Sequence, residues 1–262
     1  MSKIKLLQGD CLELMKDIPD KSIDVILCDL PYGTTYNDWD SVIDLDRIWA
    51  EYKRIIIDRG AIVLFAQSPF DKILGASNLK MLKYEWIWVK SCPTGFLNCH
   101  NAPLKIHENI LVFSKSPASM AKNVESMKYN PQYIKGKPYK AIHTSMSTNY
   151  NRLKKVITIN DGNYYPIDVL EFKSDKEKLH PTQKPVALCQ YLIKTYSDEG
   201  DTILDNCMGS GTTGVACKNL NRNFIGMELN EEYFKIAEQR INNGFVQKEL
   251  SNDELNSLPL FL

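Results

Sequence analysis

Short runs of continuously apolar residues, each ending in a loop of special composition, constrain this chain more than any other feature. Asp24-Val25-Ile26-Leu27-Cys28 is of strand length and leads straight into Asp29-Leu30-Pro31-Tyr32-Gly33. Comparable runs lie at 4–8, 61–66, 84–89, 109–113, 202–204 and 223–227. A strand that is apolar on both faces must be covered on both, as in a parallel sheet wrapped by helices. Helical spacing fills the gaps. Leu45, Ile48, Trp49, Tyr52, Ile55 and Ile56 predict a helix over 44–58. Val186, Leu188, Cys189, Leu192 and Ile193 predict another, opened by Pro185, and Tyr233, Phe234, Ala237 and Ile241 a last one. The expected class is α/β, with a mostly parallel seven-stranded sheet.

In such a sheet ligands bind at the carboxyl ends of the strands. The first loop places there a carboxylate (Asp29), a carbonyl fixed by proline (Leu30 before Pro31) and a flat ring (Tyr32). One acceptor, one fixed carbonyl and one ring suit a planar base carrying an amino group. Much later, Thr202-Ile203-Leu204-Asp205 runs into Asn206-Cys207-Met208-Gly209-Ser210-Gly211-Thr212-Thr213. Glycines there let backbone approach a ligand, and the following helix offers its amide end to an anionic group. The next strand ends at Met227-Glu228, where a carboxylate can accept both hydroxyls of a ribose. A base-gripping loop and a nucleoside-cofactor loop together imply methyl transfer to a nucleobase.

The residues 209–214 also spell G-x-G-x-x-G, so an NAD-dependent oxidoreductase is an alternative. Against it, the loop follows most of the sheet, and no second half remains to hold a nicotinamide. S-adenosylmethionine is the expected cofactor.

Composition sets further bounds. A chain of 262 residues buries a full core with room for a small insertion. Seven scattered cysteines with no C-x-x-C pair imply free thiols and neither a zinc site nor a disulfide framework. No apolar run reaches the ~18 residues of a membrane span, and the first residues lack the apolar stretch of a signal peptide. A cytoplasmic protein is expected. Formal net charge is zero, yet residues 115–160 carry nine basic side chains and one acid, Glu125. Phosphate contacts need local rather than average positive charge. Lys135, Lys137, Lys140, Arg152, Lys154 and Lys155, interleaved with Tyr129, Tyr133, Tyr139 and Tyr150, are the expected DNA-binding set.

These motifs resemble those of beta-class amino DNA methyltransferases, the site-specific adenine-N6 and cytosine-N4 enzymes. The resemblance runs from about Leu6 to Ile241. D-L-P-Y stands where the family usually has D-P-P-Y, and Asn206 and Cys207 replace the Pro and Phe common in its cofactor motif. His180-Pro181-Thr182-Gln183-Lys184-Pro185 is similar to a segment beside the methionine part of the cofactor, and Gly9-Asp10-Cys11 to one that contacts its adenine. The resemblance implies a Rossmann-like S-adenosylmethionine-dependent fold. Residues 1–113 and 179–246 would form the catalytic and cofactor-binding parts of one core, 114–178 a target-recognition insertion and 247–262 a peripheral tail. Expected cofactor contacts are Asp10, Cys11, Asp29, His180, Thr182, Lys184, Asp205, Asn206, Cys207, Gly209, Ser210, Gly211, Thr212, Thr213 and Glu228. Asp29, Leu30, Pro31 and Tyr32 would be catalytic. No metal is required. Double-stranded DNA is the implied partner, with a homodimer and a cognate restriction endonuclease compatible with the family.

The expected reaction is methylation of adenine N6 on an extruded base, with cytosine N4 as the alternative. A catalytically silent DNA-binding subunit is a reading from a different class, opposed by the intact Asp29, Tyr32 and glycine loop. Asp10 has a second reading as a simple helix cap. Glu108, beside His107, has no implied partner and is expected to be structural, and Trp86 and Trp88 are expected in the core or on the sheet surface rather than as a base-stacking platform.

Overall fold

The computed structural model describes residues 2–33, 43–119, 124–143, 156–175 and 183–243. In chain order the strands of the first half are β1 (Ile4–Gln8), β2 (Ile23–Asp29), β3 (Ile56–Ala66), β4 (Leu82–Thr94) and β5 (Lys105–Phe113). Four short strands follow: β6 (Ile134–Lys135), β7 (Tyr139–His143), β8 (Val156–Asn160) and β9 (Asn163–Tyr164). The chain then forms β10 (Val169–Glu171), β11 (Thr202–Asp205) and β12 (Asn223–Glu228). The helices are α1 (Cys11–Leu14), α2 (Leu45–Ile55), α3 (Phe70–Ser77), α4 (Val186–Tyr196), α5 (Thr212–Asn219) and α6 (Glu231–Asn243).

Eight strands form one sheet in the order β1-β12-β11-β2-β3-β5-β4-β10. Strand β5 runs against both neighbours, and the other pairings are parallel. The mostly parallel α/β architecture is as expected, but the sheet has eight strands rather than seven. The extra one, β10, pairs through Val169, Leu170 and Glu171 with Ile87, Trp88 and Val89. Alternation along each strand feeds two cores. Val25, Leu27, Val63 and Phe65 pack on the face that includes Leu188, Leu192, Val215 and Ile241. Ile26, Cys28, Ile62 and Leu64 pack on the face that includes Ile48, Trp49, Tyr52 and Leu74. Trp86 and Trp88 are buried, which puts them in the core rather than on the sheet surface.

Local chemistry sets the helix ends. Asp44 caps α2, accepting from the amides of Asp46 and Arg47 at 3.0 and 3.2 Å. That helix stops at Ile55, short of the expected residue 58, because Ile56 is already extended and begins β3. β-branched residues fit a pleated strand as well as a buried helix face, so their period alone does not mark this boundary. Pro185 occupies the cap position of α4, with φ −65° and ψ 135°.

The chain divides into two compact units, one of Met1–Asn130 with Asp168–Lys248 and the other including Pro131–Ile167. The expected insertion over 114–178 therefore reaches too far at both ends. Lys128 N donates to Arg59 O and Asn130 N to Thr195 O, which ties this stretch to the first unit. Residues 169–171 are strand β10 of its sheet. Within the second unit, β6 pairs with β9 and β7 with β8, both antiparallel. The tail 247–262 lies outside the described residues.

Candidate active site

The parallel strands β1, β12, β11 and β2 are neighbours, so their carboxyl ends lie along one edge of the sheet. That edge carries Gly9 and Asp10 after β1, Glu228 on β12, Asp205 on β11 and Asp29 on β2. A cavity of about 900 Å³ opens there, near the upper end of the range for small-molecule sites. Its lining includes Asp10, Cys11, Asp29, Leu30, Pro31, Tyr32, Lys184, Asp205, Asn206, Cys207, Gly209, Ser210, Thr212, Thr213 and Glu228. The two loops singled out in the sequence thus share one cavity. Gly211 is the exception among the described cofactor candidates, since it is not part of the lining. It sits at φ 78° against Ala237 and Ile241, where an added Cβ would come within 3.0 Å of both, so its role is to let α5 and α6 meet. His180, Thr182, Arg152, Lys154 and Lys155 lie outside the described residues. Lys135, Lys137 and Lys140 are exposed in the second unit.

The cofactor-type loop is tied at both ends. Glu228 Oε2 accepts from Gly209 N at 2.9 Å and its Oε1 from Asn230 N at 2.8 Å. A carboxylate offers about four acceptor sites, and with a further backbone contact from Leu229 its acceptor capacity is not exhausted. Burial raises the Glu228 carboxyl above its ordinary range. Asp205 is buried, accepts from Cys207 N at 3.2 Å, and is pushed up to about 7 by burial. Asp10 Oδ1 accepts from Leu12 N at 2.8 Å, so its capping role is real while it also lines the cavity.

Three residues holding this loop were not singled out in the sequence for that role. Arg240 on α6 donates to Ser210 O, Ser210 Oγ and Thr212 Oγ1 at 3.2, 3.1 and 2.9 Å. Tyr52 on α2 donates its hydroxyl to Asn206 Oδ1 at 2.5 Å, across 154 positions. Gln183 Oε1 accepts from Ser210 Oγ at 3.3 Å. Asn206 and Cys207, the departures from the resembling motif, are thus accommodated. Asn206 is buried under Tyr52, and the Cys207 thiol meets those of Cys11 and Cys28. Burial pushes Cys28 up to about 12, which keeps it a neutral thiol.

At the β2 tip, Tyr32 donates its hydroxyl to Asp29 Oδ1. Its ring stacks on Phe70, with centroids 5.1 Å apart and planes 28° from parallel. Lys184 Nζ lies 2.5 Å from Asp29 Oδ2 and 3.2 Å from Glu108 Oε2. Burial raises the Asp29 carboxyl, and the neighbouring Lys184 ammonium opposes it. Burial alone would lower Lys184, but Asp29 and Glu108 together raise it, so it stays an ammonium. Glu108 is buried and partnered by Lys90, Lys184 and Gln67, which corrects the expectation that it had no chemical partner. Nothing in its local sequence marks this, since its partners come from β3's end, β4 and the segment before α4.

Among the described residues no group of His, Cys, Asp and Glu could hold a metal ion, and no helix is long and apolar enough to cross a membrane.

Comparison with known proteins adds to this geometry. A DNA methylase family model covering N6 and N4 enzymes matches residues 23–239. The type II methyltransferase M.HpaI of Haemophilus parainfluenzae is 28% identical over 255 residues, spanning 92% of this chain and 75% of that protein. The DNA adenine methyltransferase YhdJ of Escherichia coli K12 is 27% identical over 263 residues, spanning 95% and 85%. A crystal structure of M1.HpyAVI with SAM superimposes with a TM-score of 0.59 at 28% identity, covering 90% of this chain and 99% of that one.

Proposed function

This chain belongs to the N6-adenine/N4-cytosine DNA methylase family, and on that premise we propose that it methylates adenine N6 in duplex DNA after extruding the base. It is an S-adenosylmethionine-dependent DNA methyltransferase with a Rossmann-like fold. The observation that carries the proposal is the shared cavity: Asp29, Leu30, Pro31 and Tyr32 line the same space as Asn206, Gly209, Ser210 and Glu228.

The residues present fit S-adenosylmethionine. Glu228 would take the ribose hydroxyls, Asp10 and Cys11 the adenine end, and the loop of Gly209 and Ser210 the backbone-facing side. The bound cofactor supplies a methyl group on a sulfonium. The protein's task is to make a poor nucleophile attack it, because an exocyclic amino lone pair is delocalised into its ring. Asp29 accepts one amino hydrogen and the Leu30 carbonyl the other. Pro31 restrains Leu30 to extended angles. Two acceptors off the ring plane favour a pyramidal nitrogen whose lone pair faces the methyl. Most of the acceleration then comes from holding the two atoms in near-attack geometry. Tyr32, braced on one face by Phe70, stacks on the base with the other. Stacking of this kind contributes ~1–3 kcal/mol, which offsets much of the few kcal/mol that extrusion costs.

Adenine is favoured over cytosine by Asp29, since the resembling enzymes tend to use Asp for adenine and Ser for cytosine, and by the likeness to a DNA adenine methyltransferase. Phosphate contacts fall to Lys135, Lys137 and Lys140, with Arg152, Lys154 and Lys155. The test is incubation of unmethylated bacterial DNA with labelled S-adenosylmethionine, digestion to nucleosides and mass spectrometry. N6-methyldeoxyadenosine is expected, and Asp29→Ala should abolish it. N4-methyldeoxycytidine would overturn the adenine assignment, and turnover by Asp29→Ala would overturn the role of Asp29.

A further inference from the structure

Four ionisable side chains from four elements meet at the cavity wall: Asp29 at the tip of β2, Lys90 on β4, Glu108 on β5 and Lys184 ahead of α4. The side chains of Glu108 and Lys184 are only 5% and 8% exposed, whereas that of Asp29 keeps 24% open. Each Glu108 oxygen has a task. Oε1 binds Lys90 Nζ and accepts from Gln67 Nε2 at 3.2 Å. Among the described residues Oε2 has no other partner, and it faces the Lys184 ammonium at 3.2 Å. Lys184 also lies over the Phe65 ring, 5.1 Å from its centroid.

We propose that Glu108 is a positioning residue that acts through Lys184: together they pin Asp29 Oδ2, so that Oδ1 is the oxygen offered to the amino hydrogen of the target base. The inference rests on the methyltransferase reading above. A lysine stem is flexible and its ammonium can turn to any carboxylate nearby. Glu108, itself fixed by Lys90 and Gln67, removes that freedom and keeps Lys184 aimed at Oδ2. The two oxygens of Asp29 then differ in kind. Oδ2 is held by a buried ion pair whose rupture would strand a charge. Oδ1 is held by the Tyr32 hydroxyl, a neutral donor on the loop that must make room for a base. Exchanging that hydroxyl for an amino hydrogen replaces one neutral donor by another, so Oδ1 is the atom free-energetically easy to hand over. Lys184, a candidate cofactor contact by sequence, becomes a brace for the acceptor.

Charges facing Asp29 come from several elements. Lys184 and Glu108 act directly, Tyr32 through its hydroxyl, Cys28 from the same strand and Asp205 from the tip of neighbouring β11. Lys90 acts through Glu108, and a bound sulfonium adds one more. Burial first, and then Glu108, raise the Asp29 carboxyl, whereas Lys184 lowers it. The acid limb of the single-turnover rate therefore moves in opposite directions when the two partners are neutralised.

The experiment measures single-turnover methyl transfer to unmethylated bacterial DNA from acidic to neutral pH, with cofactor affinity by calorimetry. Glu108→Gln should lower the rate constant by about ten- to a hundredfold, the scale of a small misplacement of a reacting group, without changing cofactor affinity. Its acid limb should move to lower pH. Lys184→Gln should lower the rate and move the limb to higher pH. Adding Glu108→Gln to Lys184→Gln should cost little more, because the first acts through the second. A Glu108→Gln enzyme with the parental rate and limb, or losses that multiply in the double variant, overturns the proposal. If Glu108→Gln does not fold, a Lys184→Gln limb that stays put overturns it alone. Failure of the methyltransferase reading is separable, because the unaltered protein would then transfer no methyl group to DNA.

Discussion

Removing one oxygen atom, in Tyr52→Phe, tests how the cofactor loop is held. Tyr52 is fully buried, and its hydroxyl donates to Asn206 Oδ1 at 2.5 Å. Asn206 itself is only 2% exposed, so water cannot replace the lost donor without opening the loop. A buried acceptor stripped of its partner costs about 1–3 kcal/mol. For a chain of this size each kcal/mol lowers the melting temperature by about 2–4 °C, so a fall of about 2–12 °C is expected. The same bond fixes the start of the loop that continues to Gly209 and Ser210, so S-adenosylmethionine affinity should weaken several-fold. Thermal denaturation and calorimetry measure the two effects. A double-mutant cycle with Asn206→Ala isolates the pair: the combined variant should be less destabilised than the sum by about 1–2 kcal/mol. Strict additivity, or a melting temperature within 1 °C of the parent, would show that the hydrogen bond does not anchor the loop.

Two further outcomes follow from the charges. Asp205 is raised to about 7 in the folded state, above its unfolded value of ~3.9. A group whose folded pKa is raised adds stability below the unfolded value and loses it as pH rises through the folded one. The parent should therefore lose on the order of 4 kcal/mol between about pH 4 and pH 8 relative to Asp205→Asn, as read from urea denaturation, and parallel pH curves for the two proteins would refute this. In the second unit, replacing Lys135, Lys137 and Lys140 together by alanine should reduce the slope of log binding constant against log salt by about 0.9 for each phosphate that these lysines neutralise. An unchanged slope would remove these residues from the DNA interface.

Much of this architecture is legible in the sequence because its signals are local. The β2 and β11 loops each follow an apolar run of strand length, and adjacency of those strands in the sheet brings Asp29 and Asp205 to one cavity. Pro185 announces α4 by the one backbone angle it allows. What the sequence hides depends on partners distant along the chain. Strand β10 has three residues, too few for any period, and exists because β4 offers it an edge. Lys115 and Lys128 read as part of a basic stripe, yet Lys115 donates to Ile56 O at 2.8 Å, and Lys128 pairs with Asp198 and Asp201 at 2.8 and 2.7 Å. Those two charges are engaged within the first unit. Arg240 reads as one more polar position near the end of a helix, and only the approach of α6 to the glycine loop gives it Ser210 and Thr212 to bind.

The buried ion network at the cavity wall bears on function through its cost. Taking charges from water into a protein is expensive, and replacing a buried network by apolar side chains of similar size is often neutral or stabilising by about 1–4 kcal/mol. Lys90, Glu108 and Lys184 are therefore a poor means of holding β4, β5 and the approach to α4 together, especially with Phe65, Trp86, Trp88 and Ile110 already buried nearby. If their task is to aim Asp29, then Lys90→Met, Glu108→Leu and Lys184→Met combined should leave the melting temperature equal to the parent's or higher at a pH acidic enough to keep the stranded Asp29 carboxyl neutral. Asp29, left without its ammonium, should then cross into its protonated form at a higher pH, and methyl transfer should fall sharply. Differential scanning calorimetry beside single-turnover kinetics separates the two readings. A combined variant that unfolds early would make the network structural, whereas a stable variant that still methylates DNA at the parental rate would remove it from the chemistry.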